Sequence, residues 1–270
     1  MIRIRKPTTM PAVLQRRGAA ARETLCAAYR RAAAVSSGGQ IKLDFDAALY
    51  RHRTVKEALH AAHHGKCCYC ESKVDHVAPG DVEHYRPKAA VQQLRRAPLE
   101  QPGYHWLAYT WSNLLFACVV CNGTHKRNLF PLLDPGKRAR SRSARLRAEQ
   151  PLLLNPAWED PEGLIGFREE YAYARGGDVR ARTTIEEVLL LNDRPPLLER
   201  RRDHLTVVQR MQDVASNPGV PEGIRDKART WLDEQTADSA QYAAMTRNAL
   251  RAIPVPAPRR ASPSRSKRTR

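Results

Sequence analysis

Two Cys-x-x-Cys pairs, Cys67/Cys70 and Cys118/Cys121, constrain this chain more than any other feature. A C-x-x-C turn lets two thiolates meet one ion, and two such turns complete a tetrahedral sulfur shell for Zn2+. A shell of four thiolates has no open position, so the expected ion is a structural Zn2+ that contributes to folding. The 47 residues between the pairs exceed the span of a short zinc finger, so a sizeable loop must close on the ion. Cys68 offers a C-x-C alternative with Cys70, and spacing alone leaves that choice open. Disulfides are not expected, because a chain of 270 residues can bury a core without staples and its start lacks a contiguous apolar signal region. Neither pair sits in an evident βαβ unit, which speaks against a redox role. Cys26 falls in an Ala-rich stretch and reads as a small buried hydrophobe.

Charge narrows the class of partner. The formal net charge is +18 and is unevenly spread. Residues 1–80 carry +8, residues 81–147 carry +8, residues 148–253 carry −4 and residues 254–270 carry +6. A one-sided cationic field attracts polyanions, of which nucleic acid is the commonest. Aromatic residues make up only 6%, so base stacking on aromatic platforms is not expected as the main binding mode. No apolar run is long enough for a membrane span, and a cytoplasmic location is expected.

Periodicity divides the chain. Residues 12–35 favour a helix, stopped by Ser36-Ser37-Gly38-Gly39. Asp46 to His64 reads as a second helix, with Leu49, Val55, Leu59 and Ala62 at three- and four-residue steps and Gly65 at its C′ position. Residues 66–135 hold the cysteines. Residues 136–150 form a basic polar stretch, a mobile loop or phosphate-facing arm. Residues 151–253 read as helical, with a break at Pro195-Pro196 and a second around Gly219-Val220-Pro221. The basic tail from Pro254 to Arg270 has few apolar anchors and is expected to be disordered. Residues 1–65 make an N-terminal helical region.

Between the cysteine pairs lies Asp81-Val82-Glu83-His84-Tyr85-Arg86-Pro87-Lys88, and Cys121 is followed by Asn122-Gly123-Thr124-His125-Lys126-Arg127. Phosphodiester hydrolysis needs a base for water and a cation for the developing charge, and Glu83, His84 and Asn122 can supply both. Adjacent residues on a strand point to opposite faces, but both can address one phosphate where the strand ends.

These elements resemble the HNH (ββα-metal) endonucleases. The matching residues are Glu83-His84-x-x-Pro87-Lys88, Asn113, and Cys118-x-x-Cys121-Asn122-x-x-His125-Lys126. The resemblance implies His84 as general base, Glu83 and Asn122 as ligands of Mg2+ or Mn2+, and Asn113 as the side chain that pins the loop carrying His84. His125 is a further candidate ligand, and Arg86, Lys88, Lys126 and Arg127 are candidate phosphate contacts. Many relatives have Asp where Glu83 stands, and Asp81 is the fallback ligand. The implied products carry 5′-phosphate and 3′-hydroxyl ends. The implied fold is α+β, a zinc-stapled ββα module in a mostly helical protein.

A wider resemblance covers residues 1 to about 205. It rests on MIRIRKPTTMPAVL, CCYCES, DVEHYRPK, YHWLAYTWSNLLFACVVCN, HKRNLFPLLDP, PLLLNP and TTIEEVLLLN. These are similar to the HNH proteins of Septu-type and retron-linked bacterial anti-phage systems. That similarity implies DNA as substrate and an SMC- or ABC-like ATPase as partner, with the acidic half after residue 150 as its docking surface. Two competitors stay open: a zinc-ribbon module that binds nucleic acid without cutting, and an RNase of the same fold. His60, His63 and His64 read as structural, and Trp106 and Trp111 as packing over the zinc module.

Overall fold

The computed structural model describes residues 1–35, 41–74 and 78–252. The Ser36–Gly39 stop and the tail from Pro254 lie outside the described residues. Helix α1 spans Ala12–Val35, as its composition predicts. The second predicted helix is two: α2, Ala47–Tyr50, and α3, Arg53–Ala62. Each has its own N-cap, Asp46 accepting from Leu49 N–H and the His52 ring from Thr54 N–H. A local side-chain acceptor before each start competes with one continuous helix. Helix α3 closes in a Schellman turn, in which Gly65 N–H reaches His60 C=O (2.9 Å) and His64 N–H reaches Ala61 C=O (3.1 Å). The left-handed C′ residue is therefore His64 (φ 53°), with Gly65 (φ 68°) one place beyond its expected position.

Strands β1 (Asp81–His84) and β2 (Leu114–Ala117) pair antiparallel, with Asp81 opposite Ala117 and His84 opposite Leu114. A π-helical turn, Val120–Lys126, follows β2. This hairpin divides the core by the two-residue alternation of its side chains. Val82, Leu114 and Phe116 join Leu14, Leu25, Leu49, Val55 and Leu59 of the N-terminal helices. Leu115 and Ala117 join the cysteines and the apolar residues that follow position 129. His63 fastens the first of these layers. Its Nδ1–H donates to Leu59 C=O (2.6 Å), and its Nε2 accepts from Phe116 N–H (3.2 Å). Burial pushes the His63 pKa down to about 3, so the ring is neutral.

The later half is not helical throughout. Strands β3 (Ile165–Arg168) and β4 (Tyr171–Ala174) form a second hairpin that the apolar pattern had not shown. A lone two-stranded hairpin is marginal, and here two amides from elsewhere in the chain cover its edges. Asn248 accepts from Phe167 N–H and donates to its C=O, and Asn192 does the same for Ala172. Helix α4 (Val179–Arg182) runs into a π turn, Thr183–Val188. Helix α5 (Pro195–Ser216) starts on the Pro pair, where the missing N–H costs nothing. Helices α6 (Glu222–Thr236) and α7 (Ala243–Ala252) complete the described chain. The architecture is α+β, with two small antiparallel sheets among helices.

The basic stretch 136–150 is anchored at both ends. Buried Glu149 accepts from Arg86 Nε (2.8 Å), Tyr104 Oη (2.7 Å) and Ala139 N–H (2.8 Å). Arg138 donates to Tyr104 Oη, Gln93 Oε1 and Phe130 C=O. Between these anchors residues 140–143 are exposed.

Candidate metal centre and histidine site

The four cysteines of the two C-x-x-C pairs are buried, and their sulfurs all lie within 4.8 Å of one another. In a tetrahedral zinc site with Zn–S near 2.3 Å, sulfurs sit about 3.8 Å apart. Cys70 Sγ and Cys118 Sγ are 3.9 Å apart. The donor set is all sulfur and closed, which suits Zn2+ and leaves no place for substrate. Cys68 is buried but is not a member of the four-sulfur cluster, which removes the C-x-C alternative. Donors surround the sulfurs. Cys121 N–H points at Cys118 Sγ (3.3 Å), and Arg194 Nη1 donates to Cys121 Sγ (3.2 Å). Such contacts disperse thiolate charge. The later chain braces the first knuckle, with Tyr242 Oη 3.0 Å from Ser72 Oγ and Lys66 Nζ donating to Ala240 C=O (2.7 Å). Residues 66–135 are therefore joined to the region after 150 through the metal centre itself.

His84 ends β1 on the face that looks toward the N-terminal helices. Its Nε2 lies 2.9 Å from Ala108 C=O. A carbonyl only accepts, so Nε2 carries the hydrogen and Nδ1 keeps its lone pair. Burial, and then the Lys88 charge, hold the His84 pKa well below the usual imidazole range. Tyr50 stands edge-on to the ring, centroids 4.8 Å apart. Asn113 fixes the backbone just past His84. Its Oδ1 accepts from Arg86 N–H (2.9 Å), and its Nδ2 donates to Arg86 C=O (3.0 Å) and Leu107 C=O (3.3 Å).

Glu83 points to the opposite face and is buried. Lys126 Nζ is 2.5 Å from its Oε1, and Tyr69 Oη donates to the same oxygen at 3.2 Å. Burial raises the Glu83 pKa, and the Lys126 charge opposes that rise. Lys126 also donates to His84 C=O (3.0 Å). Asn122 pairs with Asp81, Nδ2 to Oδ2 3.1 Å. That pair sits at the start of β1, three residues and about 10 Å of strand from His84. His125 is half-buried, and its pKa is lowered by burial and then by Arg194 and Arg95, so it faces cations.

These placements test the expected catalytic ion. The carboxylate next to His84 is neutralised by an ammonium, and the remaining oxygen donors lie at the other end of the strand. So arranged, the residues do not fit a divalent ion at His84. Lys126 reaches the His84 backbone carbonyl, and the charges of Lys88, Lys126 and Arg51 all act on its ring. Two of the four basic candidates are withdrawn from solvent. Arg86 is buried on Glu149 among the rings of Tyr85, Tyr104, Phe130 and Trp158, and Lys126 is fully buried on Glu83. Lys88 is half-buried and Arg127 is exposed. Tyr50 and Arg51 were given no role from the sequence, because only the fold carries them to His84. Trp106 and Trp111 are buried, and Trp111 Nε1 donates to Pro7 C=O (2.9 Å). Cys26 is only half-buried and lines a surface cleft with Tyr29, His105 and Arg142.

Fold and site define an α+β protein with a four-cysteine centre and a hairpin-borne histidine. Over 128 residues the chain is 39% identical to Septu protein PtuB of Bacillus mycoides (strain KBAB4), a match covering 47% of this chain and 42% of that protein. The matched stretch is thus about two fifths of the length of that curated relative. No family model matches the chain, and no solved structure matches it. Among the described residues, no helix is long and apolar enough to cross a membrane.

Proposed function

We propose that this protein is an HNH-type endonuclease that hydrolyses phosphodiester bonds in DNA, with a structural Zn2+ held by Cys67, Cys70, Cys118 and Cys121. One observation carries the reading. The Nε2–H of His84 is tied to Ala108 C=O, so a neutral imidazole presents Nδ1 as a base at the end of a strand. Nδ1 takes a proton from water, the resulting hydroxide attacks phosphorus, and the P–O3′ bond breaks to leave a 5′-phosphate and a 3′ oxygen that takes up a proton to become the 3′-hydroxyl. Ala108 C=O holds the tautomer and steadies the imidazolium that forms. Asn113 is a positioning residue, since it fixes the turn that follows His84. Similarity to a Septu protein supports an anti-phage role, and the sequence resemblance adds an ATPase partner docked on the acidic half.

The test is cleavage of plasmid DNA by the wild type and by His84→Ala, with Mg2+ or Mn2+, alone and with the ATPase. Cutting by the wild type and none by His84→Ala supports the reading. Intact DNA in every wild-type reaction defeats it. Cleavage of RNA but not DNA selects the RNase alternative. The second reading, a zinc module that binds nucleic acid without cutting, draws on the Glu83–Lys126 pair, which leaves no preformed ion site beside His84. Binding without cleavage under all these conditions selects it.

A further inference from the structure

The ring of Tyr50 is a hub. On one side stands His84, centroids 4.8 Å apart at 81°. Lys88 Nζ lies 4.7 Å from the ring centroid and 5.4 Å from that of Phe45. The Arg51 guanidinium carbon lies 5.9 Å from the Tyr50 centroid. One buried aromatic ring therefore gathers the candidate base and two cations. Tyr50 ends α2 and Arg51 caps it, both outside the segment bounded by the cysteines.

These two cations differ from their neighbours in one respect. Arg53 pairs with Glu57 (3.2 Å), Arg86 with Glu149 (2.8 Å) and Lys126 with Glu83 (2.5 Å). The side chains of Arg51 and Lys88 make none of the ion pairs or hydrogen bonds found among the described residues. Lys88 is also half-buried, so its ammonium has lost part of its hydration, and no carboxylate pairs with it directly, Glu83 attracting it from longer range. Contact with π faces recovers a fraction of that loss. An arriving anion would recover more. Arg offers a planar fork to phosphate oxygens and Lys a point charge, and both positions border the imidazole.

We infer that Arg51 and Lys88 form the docking site for the DNA backbone beside His84, with Tyr50 holding both cations and the imidazole in mutual register. The inference rests on the nuclease reading and adds to it a phosphate site supplied partly by the N-terminal helical region. Binding of a short fluorescein-labelled DNA duplex, followed by anisotropy in EDTA over a range of salt, tests it apart from cleavage. Arg51→Gln and Lys88→Gln are each expected to weaken binding several-fold and to reduce the salt slope by about 1. Arg51→Lys should restore the slope, because it keeps the charge. Arg210→Gln, at an exposed position on α5, should match the wild type. Wild-type affinity and slope in both Gln variants overturn the docking site, as does a wild type that fails to bind. A wild type that binds through Arg51 and Lys88 but never cuts upholds the docking site and removes the nuclease reading instead.

Discussion

The β1–β2 hairpin has two ends with opposite properties. At the Asp81–Ala117 end, Cys118 follows the strand directly and four sulfurs close on one point. The donors around them are Arg194 and the Cys121 N–H, and all four cysteines are buried. At the His84–Leu114 end, one ring nitrogen and two cationic side chains have no hydrogen-bond or ion-pair partner among the described residues, and the cations rest against aromatic rings. Four like donors at one point would be satisfied together by one Zn2+, which would contribute stability. A base and cations without partners cost stability, and they persist where something from outside completes them. The closed end holds the fold together so that the open end can stay incomplete.

The largest effect should come from opening the closed end. Cys118→Ser, or chelation, should release the metal and unfold the hairpin, since sites of this kind are worth roughly 10–16 kcal/mol in small zinc modules. Metal content and circular dichroism check this, and an unchanged melt would break the comparison. At the open end the expected effect falls on chemistry. His84→Ala should slow DNA cleavage by about 100- to 10,000-fold, with a much smaller change in melting than Cys118→Ser gives. Equal destabilisation by both would show that the two ends are not different in kind.

Between these lies Glu149. Glu149→Gln leaves Arg86 a buried cation without its carboxylate, for an expected loss of roughly 3–5 kcal/mol by denaturant titration. The smallest effect concerns the clasp between α3 and β2. The pKa of His63 is about 3 when folded and about 6.5 when unfolded. Protonation therefore favours the unfolded chain. The contribution of His63 is complete above pH 6.5 and is lost as pH falls toward 3, by about 1.4 kcal/mol per pH unit. His63→Gln should flatten the stability profile by about that slope between pH 6 and 5. A parallel profile would show that His63 is not buried neutral.

Sequence alone determined the features that depend on one residue type at one spacing. Two C-x-x-C turns suit one closed four-sulfur site, and the four sulfurs gather within 4.8 Å of one another, while the exclusion of Cys68 came from the fold. The extent of α1 and the start of α5 at the Pro pair follow from local propensity, which neighbours along the chain suffice to set. The fates of the charged residues were not legible. Arg86 and Lys126 look like Lys88 and Arg127 in the sequence, yet the first two are buried, because Glu149 and Glu83 reach them from 63 and 43 positions away. The β3–β4 hairpin depends in the same way on Asn192 and Asn248. Tertiary structure likewise decided that Tyr50 and Arg51 stand beside His84. A carboxylate, an amide edge or a ring that arrives from a distant segment determines what a polar side chain does, and local pattern holds no record of that arrival.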